Sequence, residues 1–170
     1  MDLAFTDKKK NLPSKEWTEA EIEEEIKKHD KKIEDAKEQA GDVEVRDAIL
    51  DKAVFRKEEA RDYPEAEKIF REALAKSGGA SKKMEILFEI MLMNIEKFDI
   101  DALKKDVAQC KVLVDEGADW DKKNKLKIFE GVYCMLIRDL NRAAELFLSS
   151  IATFTCLELM SYRDFVFYTV

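Results

Sequence analysis

A ten-residue phrase occurs twice in this chain. Arg61-Asp62-Tyr63-Pro64-Glu65-Ala66-Glu67-Lys68-Ile69-Phe70 returns as Arg138-Asp139-Leu140-Asn141-Arg142-Ala143-Ala144-Glu145-Leu146-Phe147. The copies stand 77 positions apart (62 to 139), and the Arg, the Asp, the Ala, the aliphatic and the Phe all keep that offset. In each copy an Asp and a short turn open a helix. Ala66, Ile69, Phe70 and Ala73 then fall at i, i+3, i+4 and i+7, one face of a helix, and Ala143, Leu146 and Phe147 repeat the spacing. The preceding segments align as well, Ile49, Phe55 and Ala60 matching Leu126, Val132 and Ile137. A repeated helix-turn-helix unit cannot bury its apolar face alone. The pattern therefore predicts an all-α fold of stacked helix pairs, an α-solenoid of tetratricopeptide-like (TPR-like) pairs. Folds of this kind present surfaces and rarely catalyse.

Composition agrees. Of 170 residues, 39% are charged and 46% hydrophobic, with only 5 Gly and 2 Pro, so helix formers far outnumber breakers. A chain of this length buries about 70% of its unfolded surface, enough for a core. The net charge of −7 argues against non-specific nucleic-acid binding, which needs a basic surface. The short run Lys8, Lys9, Lys10 reads as a solvated tail. Cys110, Cys134 and Cys156 lie inside apolar helical patterns without a CxxC, which predicts buried free thiols in a reducing compartment. Met1 to Pro13 lacks the apolar core of a signal peptide, and the apolar run from Ile86 to Ile95 is broken by Glu89 and Asn94. These features predict a soluble intracellular protein that contacts no membrane.

Residues 1–16 are polar and aperiodic and read as a flexible arm. Residues 17–40 read as a charged N-terminal helix opened by the capping box Thr18-Glu19-Ala20-Glu21 and stopped by Gly41. Its apolar residues Ile22, Ile26, His29 and Ile33 form a thin stripe, as on a helix laid against a bundle or awaiting a partner. Residues 41–170 carry the repeats. Asp42 is placed to cap a second helix ending near Arg61, Pro64 stands in the first turn of a third, and Gly78-Gly79 ends it. Ser81 is placed to open a fourth helix, Lys82 to Lys97, apolar nearly all round. Asp99 or Asp101 begins a fifth, with Leu103, Val107, Cys110 and Val114 inward. The sixth spans about Asp121 to Arg138 and the seventh Leu140 to Phe154. Thr155 to Glu158 and Ser161 to Asp164 resemble further capping boxes, and a last helix carries Phe165, Phe167 and Tyr168. No period-2 strand pattern occurs.

Catalytic chemistry finds little support. The single histidine, His29, lies in a charged helix away from any Cys, so a triad has no members. Zinc needs clustered Cys and His. Gly78-Gly79 lacks the strand before it and the Gly-Lys-Ser/Thr after it that a phosphate loop requires. Trp120 opens a helix among charges and reads as a staple on the next turn. We expect no enzyme, no cofactor and no metal.

Three segments go beyond a generic repeat. They are Asp30-Lys31-Lys32-Ile33-Glu34-Asp35-Ala36-Lys37 leading into Gly41 to Ala48; Gly117-Ala118-Asp119-Trp120-Asp121 to Lys127 followed by Gly131-Val132-Tyr133-Cys134; and Ala143 to Leu148, then Thr153-Phe154-Thr155, Glu158-Leu159-Met160 and Phe165 to Val170. In order and spacing they resemble the PCI-domain family of the 26S proteasome regulatory-particle lid, in its branch of non-ATPase subunit seven, six in the mammalian series. The match runs from about Trp17 to Val170 and is loose between Phe55 and Lys83. The resemblance implies a right-handed solenoid, cut before a PCI domain, and a non-catalytic scaffold supporting ATP-dependent degradation of ubiquitinated proteins in cytoplasm and nucleus. Its implied partners are other lid and base subunits. Candidate interface residues are Ile22, Ile26 and Ile33 on the first helix and Phe165, Phe167 and Tyr168 on the last. The alternatives are a scaffold like the first subunit of the COP9 signalosome, or a TPR-type adaptor that clamps an acidic peptide with Asn124 and Lys127.

Overall fold

A computed structural model describes residues 16–39 and 41–170. The polar arm assigned to residues 1–16, except Glu16, lies outside the described residues, as do Lys8, Lys9, Lys10 and Ala40. Eight α-helices follow one another, and no strand occurs among the described residues: α1 (Glu19–Gln39), α2 (Asp42–Glu58), α3 (Tyr63–Lys76), α4 (Ala80–Lys97), α5 (Ile100–Asp115), α6 (Trp120–Leu136), α7 (Leu140–Leu148) and α8 (Tyr162–Thr169). The expected all-α helical repeat is observed. Two compact units are formed, α1–α3 in the first and α4–α8 in the second.

In the first unit α2 packs against both α1 and α3. The predicted face of α3 is buried throughout, with Ala66, Phe70 and Ala73 at 1% exposure or less. On α2, Ile49, Ala53 and Phe55 turn inward. Gly41, not Asp42, is the N-cap of α2; its backbone N–H donates to the Glu44 carboxylate at 3.1 Å, so Asp42 stands one residue inside. The helix ends at Glu58, ahead of the expected Arg61. On α3, the Ser77 hydroxyl donates to the Ala73 carbonyl at 2.7 Å, and the helix closes at Lys76 before the glycines are reached.

In the second unit α4 packs against α5 and α6, α5 against α6, α6 against α7, and α7 against α8. Nine of the residues of α4 are buried, as its all-round apolar pattern predicts. The Phe88 and Phe129 rings stack at 5.0 Å between α4 and α6. Ser81 does not open α4. Gly79 holds that position, and the Ser81 hydroxyl accepts the Asp119 N–H at 3.0 Å, tying the first turn of α4 to the start of α6. On α5 Leu113 is buried and Val114 only half so, because the inward face steps three residues on from Cys110 and not four. Helix α7 is shorter than expected. The Ser149 and Ser150 hydroxyls both donate to the Leu146 carbonyl at 2.8 Å, competing with the main-chain ladder, and a single 3-10 turn over Ile151–Thr153 replaces the last stretch. Thr155 to Glu158 caps no helix; it forms a turn whose Glu158 pairs with Lys125 of α6. Ser161 does cap α8, accepting the Asp164 N–H at 3.2 Å.

Three corners between consecutive helices are built alike. Arg61, Phe98 and Arg138 take the left-handed conformation (φ 53°, 57° and 64°). An Asp follows each one: Asp62, Asp99 and Asp139 accept N–H bonds from Glu65 (3.3 Å), Ala102 (3.0 Å) and Arg142 (3.3 Å). Their own N–H groups reach back to Arg56, Asn94 and Cys134 carbonyls, each at 2.9 Å. The left-handed residue thus ends one helix and the Asp begins the next.

Candidate interaction surfaces

Helix α1 begins with the predicted box. The Thr18 N–H and hydroxyl donate to the Glu21 carboxylate at 2.9 and 2.8 Å, and the Glu21 N–H donates to the Thr18 hydroxyl at 3.3 Å. No residue of α1 is fully buried. Ile22, Ile26 and Ile33 are half-buried, in keeping with a helix laid along α2. His29 and Trp17 anchor it. The Phe55 ring of α2 meets Trp17 edge-on at 5.2 Å and His29 at 5.4 Å, and the Trp17 indole N–H donates to Glu59 at 2.6 Å. Lys52 of α2 pairs with Asp30 at 2.5 Å. The opposite face of α1 is charged and open to solvent.

At the other end of the chain the three aromatic candidates separate. Phe165 is fully buried: it stacks on Phe154 at 4.5 Å and meets Phe147 edge-on at 5.3 Å. It is a core residue, and no neighbour can reach it without opening the fold. Phe167 is 75% exposed, Tyr168 is half-buried, and their rings meet edge-on at 5.7 Å. Tyr162 adds a half-exposed ring on the same helix.

Two other expectations need correction. Trp120 does not staple the next turn; its side chain is 68% exposed at the start of α6. Asn124, offered as part of a carboxylate clamp, is buried at 5% exposure and its amide nitrogen lies in the interior, so it cannot line an open groove with Lys127.

Several polar groups escaped the sequence reading because their partners lie on other helices. Glu130 of α6, 9% exposed, takes Lys111 of α5 at 3.0 Å and Arg142 of α7 at 3.7 Å, bridging three successive helices. Asn94 and Asp106, each 1% exposed, join α4 to α5 through an amide N–H donated at 2.9 Å. Asn94 interrupts an apolar run, whereas Asp106 follows Lys104 and Lys105 and leaves no such trace in the sequence. Asp99 was offered as a start of the fifth helix and does cap it, but its kinship with the corners at Asp62 and Asp139 was missed. It stands 37 positions after Asp62 and 40 before Asp139 (62 to 99 to 139), so the 77-residue repeat is two shorter ones.

Burial also sets the chemistry of the thiols. It pushes Cys110 up to about 12, with Asp106 adding to the effect, and Cys156 up to about 12, with Glu158 beside it. Cys134 is raised for the same reason. All three are free. Thiols held in this protonated state are poor nucleophiles. Among the described residues no group of three or more His, Cys, Asp and Glu side chains converges as a metal site, and no helix is long and apolar enough to cross a membrane.

Stacked helix pairs with charged outer faces, buried thiols and exposed aromatic side chains define an all-α helical-repeat protein. Residues 14–170 match the family model described as 26S proteasome subunit RPN7, and the chain belongs to that family. It is 42% identical over 154 residues to the 26S proteasome non-ATPase regulatory subunit 6 of Oryza sativa subsp. japonica, a match covering 88% of this chain and 38% of the relative. The homologue from Arabidopsis thaliana is 41% identical over 148 residues, covering 87% and 38%. The 26S proteasome regulatory subunit RPN7 of Saccharomyces cerevisiae is 29% identical over 107 residues, covering 63% and 25%. The chain thus spans about two fifths of the length of the plant relatives it matches.

Proposed function

We propose that this chain acts as a non-catalytic scaffold within the 26S proteasome regulatory-particle lid. It holds lid and base subunits in register while ubiquitinated substrates are degraded with ATP, in cytoplasm and nucleus. The observation that carries the reading is the family match over residues 14–170 to proteins named as regulatory, non-ATPase subunits. The physical character of the chain supports it. Helix ridges set in grooves make a rigid element, and what such an element offers is its uncovered surface. We assign two contact regions: the part of α1 left uncovered along the half-buried Ile22, Ile26 and Ile33 at the border of its packing with α2, and the α8 surface of Phe167 and Tyr168. Exposed aromatic side chains are the kind that anchor protein interfaces.

The test is a pull-down of purified lid and base with the tagged chain. Recovery of lid subunits is the expected outcome. Recovery of COP9 signalosome subunits in their place would overturn the assignment. The isolated chain should hydrolyse neither ATP nor ubiquitin conjugates.

A further inference from the structure

We propose that His29 is a proton-sensitive latch that holds α1 on α2 when neutral and releases it when charged. Helix α1 owns no fully buried residue, so its attachment rests on a thin line of half-buried side chains and is easily biased. His29 sits in that line with its ring against Phe55, and its Nδ1 is buried with no hydrogen-bond partner. A neutral imidazole with the proton on Nε2 tolerates this, because only a lone pair is hidden. The imidazolium carries N–H on both nitrogens and would bury a donor with no acceptor, beside an apolar ring.

The charged neighbours do not reverse the balance. Glu25 on α1 and Asp51 on α2 favour the cation, while Lys32 on α1 and Lys52 on α2 oppose it. Glu59, the acceptor of the Trp17 indole N–H, lies beyond Phe55 on the same contact line. Burial is the largest influence and lowers the His29 pKa below its ordinary 6.5. A group whose pKa falls on docking binds protons more readily when undocked. Docking is therefore complete above the ordinary imidazole range and weakens as pH falls through it. Each pH unit between the undocked and docked values weakens docking about tenfold.

The chain contains two tryptophans, and Trp17 packs at this junction while Trp120 is exposed. In a Trp120→Phe background, emission reports Trp17 alone. Lowering the pH from about 7.5 to about 5.0 should shift that emission to the red, since the imidazole titrates in this range. Cys110 and Cys156 should stay unreactive toward a pyridyl disulfide, showing that the rest of the chain remains folded. His29→Leu and His29→Gln should each abolish the shift. Glu59→Gln should retain it, which excludes that carboxylate as the titrating group. A parent protein with no shift, or a shift that survives both histidine substitutions, would overturn the proposal.

Discussion

Gly131 lies in the middle of α6, where helix propensity favours almost any other residue. Its place is set by Phe147 of α7. A Cβ built at Gly131 would stand 2.3 Å from the Phe147 Cε1 and 2.7 Å from Cδ1, well inside contact distance. The ring is fully buried and held edge-on by Phe165, so it cannot swing away cheaply. Gly131→Ala should therefore destabilise the chain by about 1–3 kcal/mol, despite the gain in helix propensity of about 1 kcal/mol. Urea denaturation would measure it. Adding Phe147→Leu should be less harmful in the Gly131→Ala background than alone, because the smaller side chain makes room for the methyl group. A Gly131→Ala protein as stable as the parent would show that the ring adapts freely.

The corners carry the organisation of the elements. Non-glycine residues in left-handed backbone cost about 1–2 kcal/mol each relative to right-handed conformers, yet Arg61, Phe98 and Arg138 all adopt it. The Asp that follows offsets part of this by satisfying an orphan N–H of the next helix. Asp62→Ala, Asp99→Ala and Asp139→Ala should each lower stability by about 1 kcal/mol. Arg138→Gly should raise it by about 0.5–1 kcal/mol, since relief of the backbone exceeds the added freedom of the unfolded chain. Thermal melts of the four variants test both signs, and an Arg138→Gly protein less stable than the parent would mean that the Arg side chain contributes contacts of its own. These corners also explain what the sequence does and does not reveal. Arg-Asp announces two of them because the same two residues recur at a fixed offset. Phe98-Asp99 shares only the Asp, and what unites the three is a backbone angle that leaves no composition mark. Helix ends were misplaced for a related reason. Ser77, Ser149 and Ser150 close their helices through hydroxyl bonds to carbonyls three or four residues back, whereas the end of α3 was read from Gly78-Gly79 and that of α7 from apolar spacing running on to Phe154. Apolar spacing was dependable wherever a face was buried, as on α3, α4 and α7.

For the molecule as a whole, core and surface aromatic side chains stand close together in the chain, and α8 separates them within three residues. Phe165 and Phe167 are both aromatic and looked alike in the sequence, because a short apolar segment does not say which side meets the core. The fold buries the first among Phe147, Phe154 and Tyr162 and leaves the second 75% exposed. Phe165→Ala removes a packed ring and should cost about 3–5 kcal/mol, lowering the melting temperature sharply. Phe167→Ser removes a solvated ring and should change stability by less than about 0.5 kcal/mol. If the scaffold reading holds and α8 is a contact surface, the same Phe167→Ser chain should be recovered in the lid at a several-fold lower level, with its melting curve unaltered. Placing the substitution at Trp120, which is similarly exposed but assigned to no interface, provides the control. Normal incorporation of Phe167→Ser would remove α8 from the contact surface and leave the Ile22, Ile26 and Ile33 stripe of α1 to carry the interaction.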